Sequence, residues 1–138
     1  MFTIHHVGIV VAQLDEAVAV YCRLLNYPPD KVEYHDVPAE KVRVAMFKGN
    51  TTLELLEPTA PDTGLAKFLE KRGAGVHHLC YAVPGPLQDK LHVLKAAGFT
   101  LLDEAPRQGA EGPVFFVHPK SAGGILVEFI EAPAATAG

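Results

Sequence analysis

Tryptophan is absent from the sequence, and cysteine occurs only twice, as Cys22 and Cys80. Two cysteines cannot build a disulfide framework, and their spacing is not that of a zinc-binding pair. No segment reaches the roughly 18 consecutive apolar residues that a membrane span requires. Residues 1–11 also lack the basic region and cleavage site of a secretory signal. We therefore expect a cytoplasmic protein that does not insert into a membrane.

Positive charge is also scarce. Lysine and arginine number 12 against 16 acidic residues, which gives a formal net charge of −4. A general nucleic-acid-binding protein needs a basic surface, so we expect no nucleic-acid partner. The chain has 138 residues, of which 49% are hydrophobic. That length and balance are typical of one compact globular domain.

Histidine is abundant, and its positions reveal an internal repeat. Four of the seven histidines form two adjacent pairs, and the segment His5–Val11 resembles His77–Val83. A second similarity joins Leu53–Glu57 to Val127–Glu131. The two similarities occur in the same order at separations of 72 and 74 residues. Recurrence of both in register predicts two copies of one architecture.

Hydrophobic periodicity gives the same coarse order in both copies: a strand, an amphipathic helix and three further strands. The predicted organisation is a single domain with a first module at about 1–60, a linking helix at about 61–73 and a second module at about 74–131. Residues 132–138 are small and featureless, which predicts a flexible tail.

Several elements can be predicted in more detail. Apolar residues at helical spacing predict a helix over Leu14–Leu25, and three strands follow it. In the second module we expect the first of the three late strands near Phe99–Leu102. Glu57 and Glu131 fall at the ends of strands, and we expect both side chains to be solvated.

Four residues recur at equivalent places and have the chemistry of metal ligands. His6 and His78 each precede a small residue by two positions, Gly8 and Cys80 respectively, which leaves room beside each imidazole. Two glutamates, Glu54 and Glu128, lie between apolar neighbours and therefore point to the opposite face of their strands. A buried carboxylate is costly unless it is paired, and a divalent cation removes that cost.

The pattern therefore predicts a site in which His6, Glu54, His78 and Glu128 bind one divalent metal ion. Nitrogen and carboxylate ligands of this kind admit cobalt, nickel, manganese, zinc or magnesium, and the sequence does not choose among them.

A resemblance covers almost the whole chain. The carrying segments are His6–Ile9, Leu53–Pro58, Ala66–Leu69, Gly75–His78, Asp103–Arg107 and, most specifically, His118–Glu128. The chain resembles the vicinal oxygen chelate superfamily and, within it, the methylmalonyl-CoA epimerase family. The resemblance implies an α+β fold in which two βαβββ modules form a half-open, barrel-like mixed sheet. It also implies that the four predicted ligands bind the metal.

The resemblance also implies a reaction. The expected activity interconverts the (R) and (S) forms of methylmalonyl-CoA by removing the C2 proton, through a metal-stabilised enolate. Glu128 is the candidate for one acid/base group. The second group is open, because this chain has Val44 where several epimerases have a glutamate. Glu54 and Glu40 are the remaining candidates in the sequence.

Two alternatives are open, a second kind of enzyme and a protein without catalytic activity. One is a glyoxalase I-type lactoylglutathione lyase or another metal-dependent enzyme of the superfamily. The other is a non-catalytic small-molecule binder of the bleomycin-resistance type. Histidine or glutamate at all four ligand positions counts against a binder, and the segment from His118 to Glu128 favours the epimerase over the lyase. We expect an acyl-CoA thioester substrate and a homodimer, because exposed sheet edges need covering.

Overall fold

The computed structural model describes residues 1–133. Contacts within the chain define two compact units, one containing residues 6–77 and the other containing residues 1–5 with residues 78 onward. The predicted flexible tail, residues 132–138, falls mostly outside the described part, which ends at Pro133. Among the described residues, no helix is long and apolar enough to cross a membrane.

The first unit contains a four-stranded sheet and two helices. Its elements are β1 (Thr3–Val10), α1 (Leu14–Leu25), β2 (Glu33–Val37), β3 (Val42–Phe47), β4 (Thr52–Pro58) and α2 (Gly64–Arg72). The strand order is β2-β3-β4-β1. Strands β1 and β4 are parallel, whereas β3 pairs antiparallel with both of its neighbours.

The second unit repeats this topology. Its elements are β5 (Gly75–Val83), α3 (Leu87–Ala96), β6 (Arg107–Gly109), β7 (Gly112–Val117) and β8 (Leu126–Glu131). The strand order is β5-β8-β7-β6, with β5 and β8 parallel and the other pairs antiparallel. The order strand, helix, three strands that the sequence predicts twice is confirmed in both units.

Helix α1 has the predicted bounds because its apolar residues form one stripe. Leu14, Val18 and Cys22 are buried at helical spacing. The helix ends at Asn26, whose φ of 51° places it in the left-handed region that closes many helices. The buried stripe packs on one face of the first sheet, against residues that include Phe47. Helix α3 forms the equivalent core in the second unit.

The opposite face of each sheet is also buried. In the first unit, Val42, Val44, Met46 and Leu56 form a second apolar cluster, to which Leu65 of α2 adds a partly buried side chain. In the second unit the equivalent cluster consists of Cys80, Ala82, Val114 and Ile130. A sheet that is buried on both faces explains why β3 is a nearly continuous apolar run.

The strand predicted near Phe99–Leu102 is wrong. This segment makes only a single bridge, between Leu101 and Val117. Pairing with β7 stops here because the carboxylate of Asp103 accepts the Phe116 N–H at 2.9 Å, in place of a backbone carbonyl. The first of the three strands after α3 is instead β6, which pairs antiparallel with the next strand, β7.

As predicted, Glu131 is exposed, whereas Glu57 is half-buried, and both carboxylates in addition accept a backbone hydrogen bond. Glu57 Oε2 accepts the N–H of Leu14, and Glu131 Oε1 accepts the N–H of Leu87, each at 2.9 Å. These N–H groups belong to the first residues of α1 and α3, whose own N-caps make no side-chain hydrogen bond. A carboxylate satisfies such free N–H groups and complements the positive end of the helix dipole. Each glutamate therefore ties the last strand of its module to the module's helix.

Candidate functional site: two histidine–glutamate pairs

In the first unit, the structure brings His6 and Glu54 together. His6 lies on β1, and Glu54 lies on β4, the parallel neighbour of β1. In the register of these two strands, Gly8 of β1 is opposite Glu54. His6 Nδ1 lies 3.4 Å from Glu54 Oε2. The two side chains are only 8% and 11% exposed. Gly8 presents no side chain beside the carboxylate, which leaves space for the imidazole.

In the second unit, His78 and Glu128 form the equivalent pair on β5 and β8. His78 Nε2 lies 3.4 Å from Glu128 Oε1, and both side chains are 10% exposed. Cys80 is the partner of Glu128 in register and is completely buried. The ring of Phe116 packs edge-on beside the His78 imidazole, with centroids 6.3 Å apart.

The donor set of each pair fits a divalent metal ion. Bonds from zinc to imidazole nitrogen and carboxylate oxygen are about 2.0–2.2 Å, so neighbouring ligands of one ion lie about 3–3.5 Å apart. The nitrogen–oxygen distance of 3.4 Å in both pairs falls within this range. A buried carboxylate is costly unless it is paired or coordinates a metal, and imidazole and carboxylate are both ligands of divalent metals. These histidine–glutamate groups can therefore bind a divalent metal.

The other histidine of each adjacent pair has a different environment, as strand alternation predicts. The His77 ring packs edge-on against Phe68 of α2, with centroids 5.2 Å apart. His5 Nε2 lies 3.1 Å from Glu111 Oε2. The His77 ring therefore packs against α2, and His5 pairs with a carboxylate.

The remaining sequence candidate, Glu40, lies outside the sheet. It ends the short 3-10 helix Pro38–Glu40 and its side chain is exposed. Val44 has the predicted strand position on β3 and is 6% exposed. It is opposite Leu56 in register, so it shares the face of Glu54 with no titratable group of its own.

Sequence reasoning missed polar groups on the two edge strands. On β2, His35 Nε2 lies 3.9 Å from Glu33 Oε1. In the second unit, Arg107 of β6 stacks over the Phe116 ring at 4.6 Å, and its Nε pairs with Asp103 Oδ1 at 2.9 Å. The sequence indicates that residues 33 and 35 lie on the same side of a strand. Only the register of β2 shows which face of the sheet that side belongs to.

Comparison with known proteins identifies the family. A sequence model of the Glyoxalase/Bleomycin resistance protein/Dioxygenase superfamily matches residues 5–117. The chain belongs to this superfamily.

The curated relatives identify a narrower group. The chain is 38% identical to the mitochondrial methylmalonyl-CoA epimerase of Homo sapiens, over 94% of this chain and 73% of that protein. It is 38% identical to the ethylmalonyl-CoA/methylmalonyl-CoA epimerase of Cereibacter sphaeroides, over 91% of this chain and 94% of that protein. It is also 35% identical to the uncharacterized protein YqjC of Bacillus subtilis, over 95% of this chain and 93% of that protein.

Solved structures agree with the relatives. The methylmalonyl-CoA epimerase of Mycobacterium tuberculosis matches with a TM-score of 0.82 and 32% identity, over 94% of this chain and 88% of that one. A methylmalonyl-CoA epimerase in complex with methylmalonyl-CoA and NH4+ matches with a TM-score of 0.84 and 31% identity, over 95% and 94% of the two chains. The predicted α+β fold of paired βαβββ modules is thereby confirmed.

Proposed function

We propose that this protein is a methylmalonyl-CoA epimerase, an isomerase that interconverts the two configurations at C2 of the acyl group. The observation that carries the proposal is the buried histidine–glutamate pair, repeated on equivalent strands of both units at the same 3.4 Å distance. Near-complete alignment with epimerases of this substrate supports the same activity. The acyl-CoA thioester is the proposed substrate.

We infer that His6, Glu54, His78 and Glu128 together hold one divalent metal ion. When bound, a metal of this kind acts as a Lewis acid that favours negative charge on the thioester oxygen. The support is the ligand spacing within each pair and the cost of burying two carboxylates without a cation. The identity of the metal among cobalt, nickel, manganese, zinc and magnesium stays open.

Glu128 is the proposed acid/base group for one face of C2. Its carboxylate is buried against His78, and a carboxylate has a second oxygen that can accept a proton from carbon. Glu54 has the equivalent place in the first unit and is the second candidate for this role. Glu40 is the weakest of the three candidates, because it lies in the exposed 3-10 helix after β2.

The proposal does not select a single acyl group. The Cereibacter sphaeroides relative carries both ethylmalonyl-CoA and methylmalonyl-CoA in its name, so the larger acyl group is a second substrate to test. A homodimer and a cytoplasmic location, both expected from the sequence, stay predictions.

Hydrogen exchange at C2 tests the reaction directly. Methylmalonyl-CoA is incubated with the metal-loaded protein in deuterium oxide, and the thioester is analysed by mass spectrometry. We expect the substrate to gain one deuterium at C2, because proton removal and return pass through solvent-exchangeable groups. A metal-loaded protein that gives no exchange, yet isomerises the hemithioacetal of glutathione and methylglyoxal, would be a lyase. A protein that binds these compounds without converting them would be a binder.

The metal assignment is tested separately by elemental analysis. His78→Ala should lose both bound metal and exchange while keeping its fold. His77→Ala is the matched control, because its ring faces Phe68 and not Glu128. Equal metal content in the two variants would remove His78 from the proposed ligand set.

A further inference from the structure

A fixed positive charge lies on the same face of the second unit's sheet as the His78–Glu128 pair. Glu128 on β8 is opposite Phe116 on β7. Two residues before Phe116, Val114 is opposite Arg107 on β6. Directly opposed residues of antiparallel strands project to the same face, as do residues two positions apart on one strand. Arg107 therefore shares the face that carries Glu128.

The Arg107 side chain extends along this face toward the pair. Its backbone is in the row of Val114, but its guanidinium carbon lies 4.6 Å from the centre of the Phe116 ring. That ring belongs to the row of Glu128, and it is 6.3 Å from the His78 ring, centre to centre. The guanidinium is therefore one aromatic ring away from the imidazole, and no further from it than these two distances together.

Asp103 holds the guanidinium in this position. Its Oδ1 lies 2.9 Å from Arg107 Nε, and its Oδ2 accepts the Phe116 N–H at the same distance. The Asp103 side chain is 12% exposed, whereas that of Arg107 is 50% exposed. The accessible part of this ion pair is therefore the positive guanidinium. Because the pair uses Nε, the two terminal nitrogens of the fork are the ones placed to donate to a ligand.

The surroundings of the guanidinium on this face are apolar. A buried cluster borders the Phe116 ring and consists of Cys80, Ala82, Val114 and Ile130. Attraction between opposite charges is stronger beside an apolar surface than in water. Among the strand residues of the second unit that share this face, up to Pro133, Arg107 is the one with a permanent positive charge. An anionic group of a ligand on this face is therefore attracted to Arg107.

We propose that Arg107 binds the free carboxylate of a 2-alkylmalonyl thioester; the inference rests on the proposed epimerase function. The planar fork of a guanidinium matches a carboxylate, and the two groups form short, charge-assisted hydrogen bonds. A malonyl group is about 5 Å long from its thioester oxygen to the far carboxylate oxygen. Polar contacts of about 2.8 Å at both ends extend this reach to about 11 Å. A carboxylate bound by Arg107 therefore leaves the thioester oxygen within reach of the His78–Glu128 pair.

The three chemical features of such a substrate correspond to three features of this face. The thioester oxygen lies toward the proposed ligand pair, the carboxylate contacts the guanidinium, and the 2-alkyl group contacts the apolar cluster. With both ends of the malonyl group held, C2 is fixed on the face from which Glu128 projects. Such positioning is what proton removal by a carboxylate requires.

Binding of two thioesters tests this assignment. Propionyl-CoA has the same CoA portion as methylmalonyl-CoA but lacks the carboxylate. Both dissociation constants are measured by isothermal titration calorimetry on the metal-loaded protein, with methylmalonyl-CoA as an equilibrated mixture of its two configurations. We expect Arg107→Gln to weaken methylmalonyl-CoA binding by about 10–100-fold, the effect of losing hydrogen bonds to a charged group. Propionyl-CoA binding should stay at its wild-type value, because this ligand has no group for the guanidinium.

Arg72→Gln is the matched control. Arg72 is an exposed arginine of α2 that also stacks on a phenylalanine, with its guanidinium carbon 5.3 Å from the centre of the Phe68 ring. This variant should bind both thioesters as the wild type does. Bound metal and the circular dichroism spectrum of Arg107→Gln should also match the wild type, because Arg107 is half exposed on an edge strand.

The outcomes separate this inference from the proposed function. If Arg107→Gln weakens binding of both thioesters equally, the guanidinium binds the CoA portion and the assignment is wrong. It is also wrong if methylmalonyl-CoA binding is unchanged, if Arg72→Gln causes the same loss, or if Arg107→Gln loses its metal. A wild type that shows the expected Arg107-dependent binding, yet exchanges no hydrogen at C2, would contradict the epimerase function while the carboxylate contact would stand.

Discussion

The hydrogen bond between Glu131 and the first turn of α3 can be tested quantitatively. The bond is partly buried and 2.9 Å long, and the N-cap residue Pro86 supplies no alternative. Loss of an N-terminal capping bond costs about 0.5–2 kcal/mol. Loss of a negative charge near the helix N-terminus costs about 0.3–1 kcal/mol. We therefore expect Glu131→Ala to lower the free energy of unfolding by about 1–2 kcal/mol.

A second substitution disturbs the same bond from the other side. The Glu131 side chain lies directly over Gly85, and a Cβ at Gly85 would collide with its carboxylate and Cγ atoms. Gly85→Ala should therefore displace the carboxylate from the Leu87 N–H. In a Glu131→Ala background this collision disappears, so the two costs should not add. The expected coupling is at least about 0.5 kcal/mol, as for residues in direct contact.

Urea unfolding, followed by circular dichroism, measures both effects. Glu131→Gln is the control that separates the hydrogen bond from the charge, because an amide oxygen still accepts the N–H. Its cost should be smaller, about 0.3–1 kcal/mol, which corresponds to the charge alone. Additive costs for Gly85→Ala and Glu131→Ala, or an unchanged urea midpoint in Glu131→Ala, would refute the role assigned to this carboxylate.

Packing and charge lead to three other predictions. Leu91→Ala, which opens a cavity at a completely buried residue of α3, should cost about 2–5 kcal/mol in urea unfolding. Glu54→Leu should abolish bound metal in elemental analysis while the metal-free form becomes no less stable, since an apolar side chain of similar size replaces a buried carboxylate. The hydrogen bond and charge of Lys41, 2.8 Å away, lower the pKa of Asp62, so Lys41→Met should raise that pKa in an NMR titration. The small stabilisation from this exposed pair is present above the unfolded-state pKa of Asp62 and is lost as pH falls through the folded-state pKa.

Much of this fold can be predicted from sequence because its signals are local. The bounds of α1 follow from an apolar stripe, and β3, one of the three strands predicted after it, is a nearly continuous apolar run. The failure near Phe99–Leu102 has the opposite cause. Apolar residues there suggest a strand, but a side chain of Asp103 takes the N–H that a longer strand would need. Competition of this kind depends on tertiary contacts and leaves no periodic signal.

In the candidate site, too, some residues can be predicted from the sequence, whereas contacts that depend on the tertiary structure cannot. His6 and Glu54 can be identified because the module repeats, so each residue is supported by its counterpart, His78 or Glu128. The contact inside each pair depends on the parallel pairing of its two strands, which the structure shows and the repeat alone does not. Glu57 cannot be assigned to the start of α1 from sequence, because its partner is 43 residues away and is a backbone N–H.

The edge strands show where the two modules differ in chemistry. Strand β6 is the counterpart of β2, and Arg107 is opposite Val114 as His35 is opposite Val44. Each valine is in turn opposite the residue two positions after a candidate ligand, so the two basic residues occupy equivalent places. A guanidinium stays charged and cannot act as a base, and Arg107 is in addition held over Phe116 by Asp103. Of these two equivalent side chains, only the imidazole of His35 belongs to the class that acts as an acid or a base near neutral pH.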